Sequence, residues 1–454
     1  MTSGSAHVTG KQRKGFHIHV VGGGVAGTGF LVCAARNRVL QRWLASGIFL
    51  SEQSPDIGGG SLLRYGNVKS ISQAGGFIKA FESPEVEKYL PDVLMTPYAE
   101  YLKGRRNEEV NLDFAGKFLG VVGSRMRALI DSEANSKALT GVEAVSIRQT
   151  LDERLVVRLA PRCGSAFEVQ SNYVVMNLGA HQSLSEIAGE QFAGIFELKS
   201  FLSKIILSEC ILNGDKSSTD RCSQALRQGR GVTILGGGHS AWACAVSLLE
   251  ICDSLSIPQS AVGIIRLVQK GPLKLFYPDA ASALEDGYVF DLAADVCPVS
   301  RQVNRYSGLR AHTFDLARRI LADEGEQERR LSFVAVDGEQ HSSRVRQLVH
   351  DSAYLIPAFG YKPNIIPYID ARGNRTEFLC DRHGLITDEQ CQVLTRSGLP
   401  IKGLYSFGIG AGMRSSPDVG GEASFNGRII GVWQFHHSMG DVVVQSILAA
   451  DAQS

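Results

Sequence analysis

Apolar residues follow two rhythms along this chain, and glycine marks the places where one rhythm gives way to the other. "FHIHVV" (16–21) reads as a strand, and Val25 to about Leu40 as a helix with apolar positions on more than one face. "GIFLSE" (47–52) is a second strand, so strand, glycine turn, helix and strand make one βαβ unit. From Phe77 to about Lys103 the pattern is helical but interrupted by Pro84, Pro91 and Pro97. Alternation in "RLVVRLA" and "YVVMNLG" places strands within 141–159 and 166–178. The first rhythm then returns. "GVTIL" (231–235) is a strand, "GGGHSA" (236–241) a glycine turn, "WACAVSLLEICDSL" (242–255) a helix and "GIIRLVQK" (263–270) a strand. A loop-rich stretch (271–312), a helix near His312–Asp323 and the strand "LSFVAV" (331–336) follow. The chain closes with strands in 353–364 and 403–412 and a helix near Gly427–Ala449.

Two nucleotide-type units and a tail of strands without a third unit predict an α/β fold of two Rossmann-like dinucleotide-binding domains. The first domain is expected over residues 15–225 and 346–454. The second, 226–345, would be inserted into it. Residues 1–14 are expected to be a disordered lead-in, because they lack the apolar stretch of a signal peptide.

The glycine turns carry the candidate chemistry. The first fits G-x-G-x-x-G at Gly22, Gly24 and Gly27. Gly22 permits the sharp turn, Gly24 lets backbone approach a pyrophosphate, and Gly27 lets helix and strand pack closely. Free N–H groups of the first helical turn, at Val25 and Ala26, would face the anion. Glu52 ends the next strand 25 positions after Gly27, close to the roughly 20 expected of the acid that binds a ribose diol. The second turn reads G-x-G-x-x-A at Gly236, Gly238 and Ala241, with His239 and Ser240 also near a bound pyrophosphate. Its second strand ends in Gln269 and Lys270, with Arg266 just inside. A cation there attracts a 2′-phosphate that a carboxylate would repel, so Lys270 marks this site for NADPH.

Composition narrows the partners. The 454 residues are 44% hydrophobic and 20% charged with a formal charge of +1, and no long block has a single sign. Neither a nucleic-acid groove nor a polybasic membrane contact is expected. No apolar run approaches bilayer length. Nine cysteines lie scattered without a Cys-x-x-Cys pair or metal-site spacing, and read as reduced thiols of a cytoplasmic protein. No metal is expected.

Two units in this order, together with "PAFGYKPN" and "GLYSFG", resemble the two-dinucleotide-binding-domain flavoproteins. The resemblance implies FAD in the first domain and NADPH in the inserted one. "GGGSLLRYG" (58–66) looks like the glycine-rich loop beside the FAD, which adds Gly59, Gly60 and Leu62 to the candidate contacts. "NLGA" (177–180), "LIPAFGYKPN" (355–364) and "GLYSFGIG" (403–410) look like the domain crossings and the late FAD segment, adding Gly179, Gly360 and Gly408. A disulfide reductase would need two cysteines close in sequence near the flavin, and residues 15–200 offer only Cys33 and Cys163. "GGGHSA" and "AFGYKPN" resemble instead the class B flavin-dependent monooxygenases, N-hydroxylating enzymes included. Such an enzyme uses a flavin C4a-hydroperoxide, made from NADPH and O2, to oxygenate a small metabolite, here at nitrogen. Asn67, Ser70 and Ser72 are the candidates for hydrogen-bonding that group. Arg414 and Arg428 are candidates for a substrate carboxylate, and His436 and His437 for packing. An FAD-dependent reductase or dehydrogenase with another acceptor, and a non-catalytic flavin-binding protein, stay open as alternatives, as does homo-oligomerisation.

Overall fold

Strand β1 (Phe16–Val21) lies inside a mixed sheet between two parallel neighbours, which is why its last four residues are buried. A computed structural model of the chain describes residues 15–321, 328–336, 342–381, 384–412, 414–415 and 419–453; the lead-in expected over 1–14 lies outside them. Helix α1 (Val25–Arg36) follows the first glycine turn and is buried from Gly27 to Ala35. It stops short of Leu40 because Arg38 adopts φ 61°, and the chain restarts as α2 (Leu40–Ser46). Strand β2 (Ile48–Glu52) pairs in parallel with β1, Val21 opposite Ser51.

Two short strands, β3 (Lys69–Gln73) and β4 (Glu109–Asn111), form a separate antiparallel ribbon. Between them the expected long helix is broken into Gly75–Ile78, Pro84–Glu87 and Pro97–Gly104. Pro84 and Pro97 begin helices, where a missing N–H costs nothing, Pro91 lies in a turn, and Thr96 caps the last helix through Ala99 N. Helix α3 (Leu112–Ser132) was not foreseen, although it is the longest at 21 residues. Strand β5 (Lys137–Thr140) extends the sheet beside β2. Strands β6 (Val142–Gln149), β7 (Leu155–Pro161) and β8 (Phe167–Met176) form an antiparallel meander, and β8 also pairs in parallel with β1.

The second sheet is smaller and wholly parallel. Strand β9 (Val232–Leu235) leads through the second glycine turn into α4 (His239–Ser254), which starts one turn earlier than the apolar pattern implied. Then come β10 (Ile265–Lys270), α5 (Ala311–Leu321), β11 (Leu331–Val336) and β12 (Tyr354–Pro357), in the order β11-β10-β9-β12. The sheet therefore reaches past residue 345: Ile356 pairs with Ile234, and Leu355 and Ile356 are buried as residues of parallel strands commonly are. Strand β13 (Pro400–Ser406) returns to the first sheet, Leu404 opposite Val174, so that sheet is built from both sides of the second. The terminal helix begins later than Gly427. It is Val432–His436 followed, after a break at His437, by α6 (Ser438–Gln453), which packs on α1 through Gly440 against Cys33. Among the described residues, no helix is long and apolar enough to cross a membrane.

Candidate functional site

The first glycine turn is shaped by close backbone approaches. Gly22 sits at φ +96°, and an added Cβ there would lie 2.2 Å from Asn177 O. A Cβ on Gly27 would lie 1.9 Å from Gly22 O, so α1 starts in direct contact with the turn. Gly24 is different. It is the N-cap of α1, makes no side-chain cap, and the nearest atom to an added Cβ is Gly60 Cα at 3.9 Å. The first-turn N–H groups of Val25 and Ala26 therefore face a space bounded by glycines, which is the shape a pyrophosphate requires. Glu52 closes the turn: its Oε2 accepts from Gly23 N at 2.6 Å and its Oε1 from Ser54 N at 2.7 Å. Each carboxylate oxygen keeps a lone pair for a ribose hydroxyl.

The loop carrying Gly59, Gly60 and Leu62 is pinned beside this turn by glycines of α3. A Cβ on Gly58 would lie 2.0 Å from Leu119 O, and one on Gly123 2.0 Å from Ile57 O. A Cβ on Gly408 would lie 3.1 Å from Ala26 Cβ, and one on Gly410 would lie 2.8 Å from Pro363 Cα and 3.2 Å from Gly179 O. Asn364 stitches the two crossings together, donating through Nδ2 to Leu178 O and through its backbone N–H to Gly179 O. Gln182 holds Gly360 O at 2.9 Å. The loop through Gly60 and the segment at Gly408 thus reach the start of α1, and the two crossings meet one another. Asn177 Oδ1, buried beside the turn, has no partner.

At the second turn Gly236 takes φ +133°, and Gly238 has nothing within 4 Å of an added Cβ. Ser240 and Ala241 lie in the first turn of α4. His239, half-buried at the start of α4, accepts through Nε2 from Arg310 N at 3.2 Å. Burial, with the charges of Arg310 and His312, pushes its pKa down to about 4, so it stays neutral. Lys270 is exposed at the end of β10. Arg266 turns away to Leu348 O and Ser352 Oγ.

Where the β3–β4 ribbon meets α4 and α5, a cavity of about 240 Å³ is lined by Asn67, Lys69, Asn111, Ser247, Glu250 and His312, among others. Of the three candidates for hydrogen-bonding the reactive group, only Asn67 lines it. Ser70 is buried and gives its hydroxyl to Ser72 O, and the Ser72 side chain is exposed. Lys69 and His312 were missed. His312 Nδ1 lies 2.9 Å from Glu109 Oε2, a hydrogen bond that ties α5 to the ribbon. Arg414 and Arg428 both give Nη2 to Asp381 Oδ2 at 2.8 Å, while Arg428 Nε and Nη1 are buried without a partner. His436 is buried 3.2 Å from Val25 O and packs edge-on against Phe81, a packing role.

A second tie joins residues 419–425, between β13 and α6, to the loop before α5. Glu422, fully buried, accepts from Tyr306 N (3.0 Å), Ser307 N (2.7 Å) and Ser307 Oγ (2.7 Å). Ser424 and Lys274 share Asp295, and Arg305 binds Val419 O. Cys297 Sγ accepts from Gly421 N at 3.1 Å and Ser300 N at 3.4 Å, with Arg305 at 3.6 Å. Burial alone would raise this thiol, but the hydrogen bonds from Ser300 and Arg305 outweigh it and bring its pKa from 9 to about 7. A depressed pKa stabilises the fold fully above pH 9, and that contribution is lost as pH falls through about 7. Melting temperatures of wild type and Cys297→Ser should differ most near pH 9 and converge by pH 6. A constant difference would mean that the thiolate does not support the tie.

No protein-family model matches the chain. A CMP-5′-(3-aminopropyl)phosphonate hydroxylase of Streptomyces rubellomurinus is 29% identical over 433 residues, covering 95% of this chain and 97% of that protein. Among solved structures, the ornithine N-hydroxylase of Kutzneria sp. 744, with reduced FAD, NADP+ and L-ornithine, aligns with a TM-score of 0.55 at 15% identity. It covers 96% of this chain and 100% of its own. The FAD-bound cadaverine monooxygenase of Erwinia amylovora gives 0.59 at 12% identity, covering 96% and 95%. The ornithine hydroxylase of Pseudomonas aeruginosa gives 0.54 at 12%, covering 96% and 99%. The chain has the two-domain α/β fold of the N-hydroxylating flavin monooxygenases.

Proposed function

We propose that the chain is an FAD- and NADPH-dependent monooxygenase that hydroxylates the terminal amine of a small, acid-bearing metabolite in the cytoplasm. The observation that carries this reading is the polar cavity at the meeting of the two nucleotide units, with Lys69 in its wall. The relative with near full-length coverage is named for an aminopropylphosphonate conjugate, and two structural neighbours for ornithine and cadaverine. All three substrates carry a primary amine on an alkyl chain. Nine free cysteines fit a reducing compartment.

FAD would be held by the turn Gly22–Gly27, by Glu52 and by the loop through Gly60; NADPH would be held by the turn Gly236–Ala241. Bound FAD, reduced by NADPH, supplies the chemistry that transfers one atom of O2 to nitrogen. The chain's own residues do the rest. Lys69 offers a cation to the substrate's acid and so orients the amine end. An alkyl ammonium must lose its proton before its lone pair can attack. His312, with Nδ1 held by Glu109, presents its remaining ring nitrogen as the acceptor.

The purified protein should be yellow, bleach with NADPH in the absence of air, and place one atom of 18O2 in a hydroxylamine product. Lys69→Ala should raise the KM for an acid-bearing amine by about tenfold to a hundredfold, the weight of one charge-assisted contact. It should leave the rate of flavin reduction by NADPH unchanged. Protein that is colourless when supplied with FAD, or that reduces flavin without incorporating oxygen, would overturn the reading.

A further inference from the structure

Strand register equates two residues that the sequence presents as unlike. In the first unit Val21 pairs with Ser51 and Gly22 N binds Ser51 O, so Glu52 stands level with the glycine turn. In the second, Leu235 pairs with Val268 and Gly236 N binds Val268 O, so Gln269 takes the same station. The match extends to the side chains. Glu52 Oε2 accepts from Gly23 N; Gln269 Oε1 lies 2.4 Å from where Gly237 would carry a Cβ. Glu52 Oε1 accepts from the backbone N–H two residues on, whereas Gln269 Nε2 donates, at 3.2 Å, to the carbonyl two residues on. Same station, opposite polarity.

That donation fixes the amide, because Nε2 must face Gly271 O, and it leaves Oε1 on the turn. Gln269 is only 3% exposed, and Oε1 has no hydrogen-bond partner. A buried, unpaired acceptor at the mouth of a nucleotide turn calls for an O–H or N–H donor from a ligand. Arg266 cannot neutralise this place, since its guanidinium reaches Leu348 and Ser352 instead. Of the charged residues on β10, Lys270 alone remains to meet a 2′-phosphate.

We propose that Gln269 reads the adenosine ribose of the nicotinamide nucleotide by accepting a ribose hydroxyl at Oε1, and that its lack of charge is what admits the 2′-phosphate. The inference rests on the reading of the second turn as a nicotinamide-nucleotide site. Gln269 then supplies affinity common to NADH and NADPH, and Lys270 supplies the preference between them. A carboxylate at the same station would repel the phosphate while still accepting from a free 2′-hydroxyl.

Binding of NADP+ and NAD+ to the full-length flavoprotein, followed by titration calorimetry without turnover, tests this. Gln269→Glu should weaken NADP+ by tenfold or more and leave NAD+ within about threefold, reversing the preference. Gln269→Leu, which keeps the bulk but removes the acceptor, should weaken both nucleotides alike by about fivefold to tenfold. Lys270→Ala should bring the two affinities together by weakening NADP+ only. An unchanged NADP+/NAD+ ratio in Gln269→Glu, or unchanged affinities in Gln269→Leu, would overturn the role of Gln269 while leaving the proposed function standing. Wild type that binds neither nucleotide would overturn both.

Discussion

Gly24→Ala should fold as the wild-type chain does and yet purify without FAD. The glycines of the first turn look equivalent in sequence, but they fail for different reasons. At Gly24 the backbone is in an ordinary extended conformation, and the nearest atom to a new methyl is Gly60 Cα at 3.9 Å. Nothing in the protein opposes the methyl; what it fills is the space left for a ligand. The stability of the apoprotein should stay within about 0.5 kcal/mol of wild type, as for a surface change. FAD affinity should fall by about a hundredfold, since backbone can no longer approach the pyrophosphate. Gly27→Val should behave in the opposite way. Its Cβ would sit 1.9 Å from Gly22 O, and that turn is itself fixed by Gly22 N on Ser51 O and by contact with Asn177 O. Helix and strand must part, at a cost of about 3 kcal/mol or more. Thermal unfolding of apoprotein beside a flavin titration separates the two cases. A Gly24→Ala protein that binds FAD normally would remove the first turn from the cofactor site.

How far the sequence could be read follows from how local each determinant is. The glycine turns are visible because strand, turn and helix are consecutive, and the acid at Glu52 lies one strand away. Helix α3 escaped because Gly116, Gly120 and Gly123 interrupt its apolar run. Two of these glycines exist to let the 57–63 loop touch the helix backbone, a contact between segments about sixty residues apart. Strand β12 was given to the returning domain because "YLIP" carries no mark of which sheet it joins; only pairing with β9 decides that. The site divides in the same way. Asn67 was found because it follows the FAD-type loop. Lys69, two positions on, reads as one polar residue among several until α4 and α5 bring Glu250 and His312 opposite it. Neither Ser70, buried with its hydroxyl on Ser72 O, nor Ser72, exposed, lines the cavity. A strand's alternation says which residues share a face, and not what the other domain places before that face.

Glu422→Ala should loosen the junction between the two units more than any other single change in the tie. The carboxylate is 0% exposed and takes three hydrogen bonds from Tyr306 and Ser307. Removing it leaves two backbone N–H groups and a hydroxyl without an acceptor in a buried place, at about 1–3 kcal/mol for each unsatisfied group before relaxation. The strap from 419 to 425 has other anchors, through Arg305, Ser424 and Cys297, so it should not unfold outright; a net loss of about 2–4 kcal/mol is expected. Hydrogen exchange should accelerate at 294–307 and 419–425 and stay unchanged in β1 and α1, which lie outside the tie. Because the strap leaves β13 beside the first nucleotide turn and docks on the loop leading to α5, its release frees one unit to move relative to the other. Flavin reduction by NADPH should then slow by tenfold or more while FAD content is retained, since hydride transfer depends on alignment to a fraction of an ångström. Glu422→Gln keeps the shape and one acceptor oxygen, and should fall between. If exchange rises equally throughout the chain, Glu422 supports the fold as a whole. If exchange rises at the tie but hydride transfer keeps its rate, the two units are aligned elsewhere, as through the Glu109–His312 contact.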